Sequence, residues 1–208
     1  MPATARTIRP WPALVAVPVL LAGCVSLGAQ KPEAVERYAL DLDFGPPPAP
    51  GTAPAVAVAE PRAAPGFDGP QLVYVRRPFE LRRYARAEWA EPPAHLVGPP
   101  LVRALERTGR FQAVVAAPGG VAAGLRLDTE VVRLQQEFTE APSRVRFTLR
   151  AQLADLRAGR VLGTRELEAV EVAPSEDAYG GVQAANRAVR RVLEEAAAWC
   201  AGLAGSAP

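Results

Sequence analysis

The chain has 208 residues, 49% of them hydrophobic and 22% charged, which is globular composition and enough length for one domain with a real core. Formal net charge is +2, and two of the arginines, Arg6 and Arg9, fall in an N-terminal segment read below as removed. The remainder is close to neutral, so no electrostatic case for nucleic-acid binding exists. Two cysteines and one histidine, His95, cannot build a His/Cys metal cluster.

Residues 1–10 carry Arg6 and Arg9 and no acid, and Trp11 to Ala22 is apolar. About a dozen apolar residues suit a signal peptide and fall short of the roughly 20 that span a bilayer. The run ends in Leu21-Ala22-Gly23-Cys24, an aliphatic residue and two small ones before a thiol. That pattern suits a lipoprotein signal peptidase, so residues 1–23 read as a signal peptide and Cys24 as the lipidated first residue of the mature chain. An ordinary secretory signal is the alternative. Residue 25 is Val rather than Asp, which favours the outer membrane by the enterobacterial sorting rule. With Cys24 acylated, Cys200 has no disulfide partner.

Residues 24–36 read as a flexible tether, with an r.m.s. reach of roughly 20 Å for twelve residues. A single α/β domain then covers 37–203, and 204–208 form a disordered tail. Arg37 to Leu42 is the first strand expected. Phe44 to Pro54 is a proline-rich loop, Ala55 to Ala59 a short buried strand, and Pro61 to Pro70 a second loop. Gln71–Arg76 and Phe79–Tyr84, around Arg77-Pro78, predict a hairpin. Arg76, Arg77, Arg82 and Arg83 cluster on it, with Arg86 beyond. They are a basic docking surface or anionic-lipid contact on one reading, and a solvated strand face on the other.

Trp89 to Pro93 is expected to lead into a helix on which Val97, Leu101 and Leu105 repeat at i, i+4, with a stop at Thr108-Gly109. Gly98-Pro99-Pro100 should kink this helix or delay its start. His95 lies there as a structural residue. Phe111 to Ala116 is a further strand. Leu125, Leu127 and Val131 share one parity, and Val132, Leu134 and Phe138 the other, so a bulge is predicted near Val131. From Arg144 to Gln152, Val145, Phe147, Leu149 and Ala151 alternate with a wet, basic face. A turn at Arg157 to Arg160, with Gly159 at positive φ, leads to a strand over Val161–Val172. These three strands form an antiparallel meander. Ser175-Glu176-Asp177 places acids at the start of a long helix. Its stripe of Val182, Asn186, Val189, Leu193, Ala196 and Cys200 should pack on the sheet.

No nucleophile elbow, phosphate loop or dinucleotide fingerprint occurs. Carboxylates are scattered, and His95 has no neighbouring signature. A non-enzymatic exported domain without cofactor or metal is the expectation.

The order of several segments resembles the ABC-type transport auxiliary lipoproteins. The lipobox at Cys24 is followed by Tyr38-Ala39-Leu40, then Pro70 to Tyr74, Phe79-Glu80-Leu81, Tyr84 and Trp89-Ala90-Glu91-Pro92. Leu127, Glu130, Leu134 to Phe138, Ser143 to Phe147 and Asn186-Arg187-Ala188 complete the likeness. The resemblance implies a two-layer α+β domain with a mostly antiparallel sheet, covered on one face by two main helices. It implies an outer-membrane lipoprotein facing the periplasm beside an ABC permease and ATPase and an MCE-domain protein that move lipids between membranes, with self-association in some members. It supplies no catalytic residues. The Gly98-Pro99-Pro100 run departs from the family's uninterrupted helix. An outer-membrane lipoprotein that activates a cell-wall synthase or assists lipopolysaccharide export is the alternative.

Overall fold

A computed structural model describes residues 34–118 and 122–205. Cys24, the signal segment and most of the tether lie outside the described residues, as does the end of the tail. In chain order the elements are β1 (Glu36–Tyr38), β2 (Val56–Val58), β3 (Arg62–Ala63), β4 (Gln71–Val75), β5 (Arg82–Trp89), α1 (Pro93–Arg107), β6 (Val114–Ala116), β7 (Leu125–Glu137), β8 (Arg144–Asp155), β9 (Arg160–Val172) and α2 (Ala178–Gly205).

Strand β7 is the spine of a nine-stranded mixed sheet. One edge pairs antiparallel with β8 along nearly its whole length, and β8 continues antiparallel to β9. The other edge is shared by three short strands, β2, β3 and β4, laid end to end and all parallel to β7. β5 pairs antiparallel with β4, and β1 and β6 add parallel outer strands. The long ladders are therefore antiparallel, and the parallel pairings are brief. The expected meander is present. The β7–β8 register slips between Val131 and Arg133, where the side-chain parity changes. Gly159 turns the chain with φ 62°.

Alternation selects the faces. Val145, Phe147, Leu149, Ala151 and Leu153 of β8 are buried, and Leu167 and Ala169 of β9 join them. Val182, Val189, Leu193, Ala196 and Cys200 bring the stripe of α2 into the same cluster, and Val97, Leu101 and Leu105 bring α1. Each fully buried aliphatic side chain of this kind contributes roughly 1.5–3 kcal/mol of transfer free energy. The two helices and the sheet thus share one core. On the opposite face of β8 the basic side chains meet acids. Arg146 bonds Glu137 at 2.9 Å and also reaches Glu168, whose other oxygen accepts the Thr148 hydroxyl at 2.8 Å. Thr148 is buried, so the expected wet face is interrupted there.

Several boundaries differ from expectation. The first strand stops at Tyr38 because the chain then leaves the sheet to cross α2. Leu42 and Phe44 enter the core, and the Asp41 N–H donates to Asn186 Oδ1 at 2.8 Å. The second hairpin strand begins at Arg82 rather than Phe79, since residues 76–81 form the turn. Trp89 ends β5 instead of leading a helix: its N–H donates to the Pro70 carbonyl at 2.6 Å and its ring is buried. The loop after Pro61 contains the two-residue β3. Only Val114–Ala116 of the 111–116 run is strand, with Phe111 bridging Ala53.

The Gly98-Pro99-Pro100 run neither delays nor breaks α1, which starts at Pro93 and runs through both prolines. Prolines suit the first turn. Pro99 and Pro100 deprive His95 and Leu96 of their usual helical donors. His95 and Pro99 lie on the wet side, where water can take the carbonyl, whereas Pro100 is buried as an apolar contact. Gly98 has a separate reason. A Cβ there would stand 3.3 Å from Pro61 Cδ, so its absence lets the segment after β2 lie against the helix.

Candidate functional site

The β4–β5 hairpin carries the predicted basic cluster. Its tip is shaped by one carboxylate. Glu80 accepts from Arg77 Nε at 2.7 Å through one oxygen and from Arg82 Nε and Nη2 at 2.9 and 2.7 Å through the other. The Arg82 and Arg77 bonds hold the Glu80 carboxyl below the usual carboxylate range. Between the clamped arginines Phe79 adopts φ 68°, a left-handed conformation unusual for a bulky side chain. Its ring is fully exposed, at 108% of the reference area, and Leu81 is half exposed.

Below the tip, Tyr74 packs against Tyr84 at a centroid separation of 4.7 Å and against Phe138 at 5.9 Å. The Arg76 guanidinium lies 5.4 Å from the Phe138 centroid and 5.8 Å from that of Tyr74. The four predicted arginines therefore divide in two. Arg77 and Arg82 fix the turn through Glu80. Arg76 stacks on the aromatic pair and Arg83 is exposed on β5, and among the described residues neither has a carboxylate within ion-pair distance.

Tyr84 also opens a buried polar chain. Its hydroxyl donates to Gln136 Oε1 at 2.8 Å, Gln136 Nε2 donates to Ser143 Oγ at 3.0 Å, and the Ser143 N–H donates to Glu176 at 2.8 Å. Burial pushes the Tyr84 phenol well above its ordinary value, so it remains a donor. The chain ties β5, β7, the β7–β8 turn and the start of α2 together.

A second concavity, a groove of about 740 Å³, runs between α1 and the β2–β6 edge, with Val58, Pro61, Gly98, Pro99, Val102 and Ala116 along it. His95 stands at its rim, with Nε2 3.3 Å from Glu60, and both side chains are exposed. Among the described residues no serine, cysteine or buried carboxylate lines the groove beside His95. No group of three or more metal-ligating side chains occurs among the described residues. Cys200 is buried in the core, where burial pushes its thiol up to about 12, so it is neither a nucleophile nor a ligand.

Sequence reasoning found the arginine cluster but not the exposed aromatic at its centre. The alternation around Phe79 reads as strand, and only the positive φ reveals it as a knob. The Pro78-Phe79 step beside repeated arginines was the available signal.

These features define a two-layer α+β domain whose distinctive parts are surfaces: a basic, aromatic hairpin and an apolar groove. The family model described as ABC-type transport auxiliary lipoprotein component matches residues 38–197, and the chain belongs to that family. Among solved structures, the chain is similar to protein XCC0632 from Xanthomonas campestris, of family model DUF330. That likeness has 25% identity and a TM-score of 0.74, covering 82% of this chain and 97% of that one. It is also similar in fold to the hypothetical protein CT253 from Chlamydia trachomatis, at 11% identity and a TM-score of 0.56, covering 76% of this chain and all of that one. No curated protein matches the chain.

Proposed function

We propose that the protein is the lipid-anchored auxiliary component of an MCE-type ABC system moving lipids between the inner and outer membranes. Family membership across residues 38–197 carries this reading. In it, Cys24 is acylated after removal of residues 1–23 and anchors the chain to the outer membrane, facing the periplasm. The domain works by binding, not catalysis, and docks the MCE-domain protein that stands between it and the permease and ATPase. The exposed basic, aromatic hairpin and the apolar groove beside α1 are the features that support a binding role. Self-association would let several copies surround one MCE assembly.

Co-purification from detergent-solubilised membranes tests the partner. Recovery of an MCE-domain protein with its permease and ATPase is expected; a cell-wall synthase or lipopolysaccharide-export component in their place would overturn the proposal. Radiolabelled palmitate tests the anchor. It should enter the native chain and not the Cys24→Ser variant, and label retained by the variant would move the acyl site elsewhere.

A further inference from the structure

We propose that the β4–β5 hairpin tip is a bilayer-contact point, at which Phe79 enters the headgroup–acyl boundary of an anionic phospholipid membrane while Arg76 and Arg83 hold lipid phosphates. The inference rests on the Cys24 anchor for proximity to a membrane, and on the hairpin for everything else.

A fully exposed phenyl ring on a protein surface has no role in folding, yet here the backbone takes up a left-handed φ at Phe79 to present it. Residues in sparsely populated backbone regions persist where their surroundings over-determine them, and they gather at binding sites. The surroundings in this case are the two ion pairs to Glu80, which close the turn on either side of Phe79. The ring is therefore held out by rigid chemistry. With Pro78 before it and half-exposed Leu81 after it, the tip is a convex apolar knob.

From Arg76 to Arg83, four arginines face one carboxylate, and that carboxylate is saturated by two of them. Arg76 and Arg83 remain. The Arg76 guanidinium carbon lies over the Tyr74 and Phe138 rings and no carboxylate among the described residues pairs with it, which leaves its charge for a phosphate. An apolar knob ringed by arginines matches a bilayer whose acyl region lies beneath a layer of anionic headgroups. A protein partner would need a socket shaped to a lone phenyl ring, whereas a bilayer receives it without one.

β1 is parallel to β5, with Glu36 opposite Ala87 and Tyr38 opposite Trp89. The start of β1 thus lies beside Ala87, on the same strand that leads back to Arg82 and the hairpin tip. Arg82 is five residues from Ala87, roughly 17 Å at strand rise. Cys24 precedes Glu36 by twelve residues, a contour of at most about 40 Å. A lipid on Cys24 therefore leaves the tip able to touch the same membrane. The tip would be too small to capture a bilayer from solution, but tethering raises its local concentration and makes a weak contact persistent.

The test uses the full mature chain isolated from membranes and reconstituted into vesicles. Phe79→Cys accepts an environment-sensitive NBD label; the substitution removes no packing, and Cys200 is buried with a raised thiol pKa. In vesicles of phosphatidylcholine with phosphatidylglycerol, NBD emission should shift blue, rise several-fold over that in phosphatidylcholine alone, and be quenched by bilayer-embedded nitroxide lipids. Arg76→Gln with Arg83→Gln should return it to the neutral-vesicle level. The same label on Val161→Cys, at the opposite end of the sheet, should stay in water. The proposal is overturned if labels at 79 and 161 behave alike, if emission ignores phosphatidylglycerol and the arginines, or if it rises only when a partner protein is added. Intact mass of the extracted chain reports separately whether Cys24 carries lipid, so failure of the anchor and failure of the tip are distinguishable.

Discussion

Gly181 and Gln136 occupy adjoining space at the start of α2: a Cβ on Gly181 would stand 2.2 Å from Gln136 Oε1. Gln136 is buried and cannot swing aside without giving up its bonds to Tyr84 and Ser143. The glycine is therefore the condition for a polar bridge between the sheet and the long helix. Gly181→Ala should cost about 1–3 kcal/mol despite alanine's better helix propensity. Chemical denaturation of Gly181→Ala, Gln136→Ala and the double variant reads the coupling. The double variant should lose clearly less than the sum of the two; simple additivity would show that the two residues do not contend for the same space.

Phe147 is the largest fully buried side chain of the core, centred on β8. Its truncation leaves a cavity that the long β7–β8–β9 ladders cannot collapse. Phe147→Ala should destabilise the domain by about 3–5 kcal/mol in urea unfolding. A loss below about 1 kcal/mol would mean that the core of β8 lies elsewhere.

Thr129 offers the opposite test. It sits on the core face of β7, and its Oγ1 is the one buried side-chain polar atom without a hydrogen-bond partner among the described residues. Replacing it with valine keeps the branched shape and removes the unsatisfied hydroxyl. Thr129→Val should stabilise by about 1 kcal/mol, raising the melting temperature by about 2–4 °C. A lower melting temperature would show that the hydroxyl has a partner in solution.

Glu80, Glu137, Asp155 and Asp177 are all held below their ordinary values, and Asp177 and Glu137 show how in the body of the fold. Asp177 caps α2, with Oδ1 accepting the Gly180 N–H at 2.7 Å; this bond and the one from Ser175 hold its carboxyl below its ordinary value. Burial pushes Glu137 up, but hydrogen bonds from Arg146 and Gln135 and the Arg146 charge outweigh it and leave the group lowered. A carboxyl with a folded pKa below its unfolded one stabilises above the unfolded value, and that stability is lost as pH falls through the folded value. Thermal stability should therefore hold through neutral pH and decline below about pH 4. Asp177→Asn preserves the cap while removing one titration, so its decline should be shallower. An identical acid slope in the variant would assign the loss to other groups.

The parts of the fold written in local patterns were legible in the sequence. The parity change at Val131 marked a real bulge, Gly159 marked its turn, and the stripe from Val182 to Cys200 is the buried face of α2. What escaped was non-local. A two-residue strand such as Arg62–Ala63 has no period, and exists because β7 offers it an edge. The parallel docking of β2, β3 and β4 along one side of β7 depends on chain returns that no window of sequence contains. The delayed start expected from the prolines of α1 does not occur, because their cost depends on the burial of Pro100 and the exposure of His95, which no local pattern shows. At the hairpin, the arginines announced themselves by repetition, whereas Phe79 became conspicuous only when its backbone angle placed it in solvent.

Among the described residues β9 pairs only with β8, leaving one long edge of the sheet open over about 40 Å. An open ribbon of backbone donors and acceptors is a template for unintended polymerisation. This ribbon carries Arg165, Glu166 and Glu168 in solvent and Glu171 drawn back by Arg191 and Arg187. Charged side chains along an open edge are a recognised guard against such pairing, and here they are held in place by their own ion pairs.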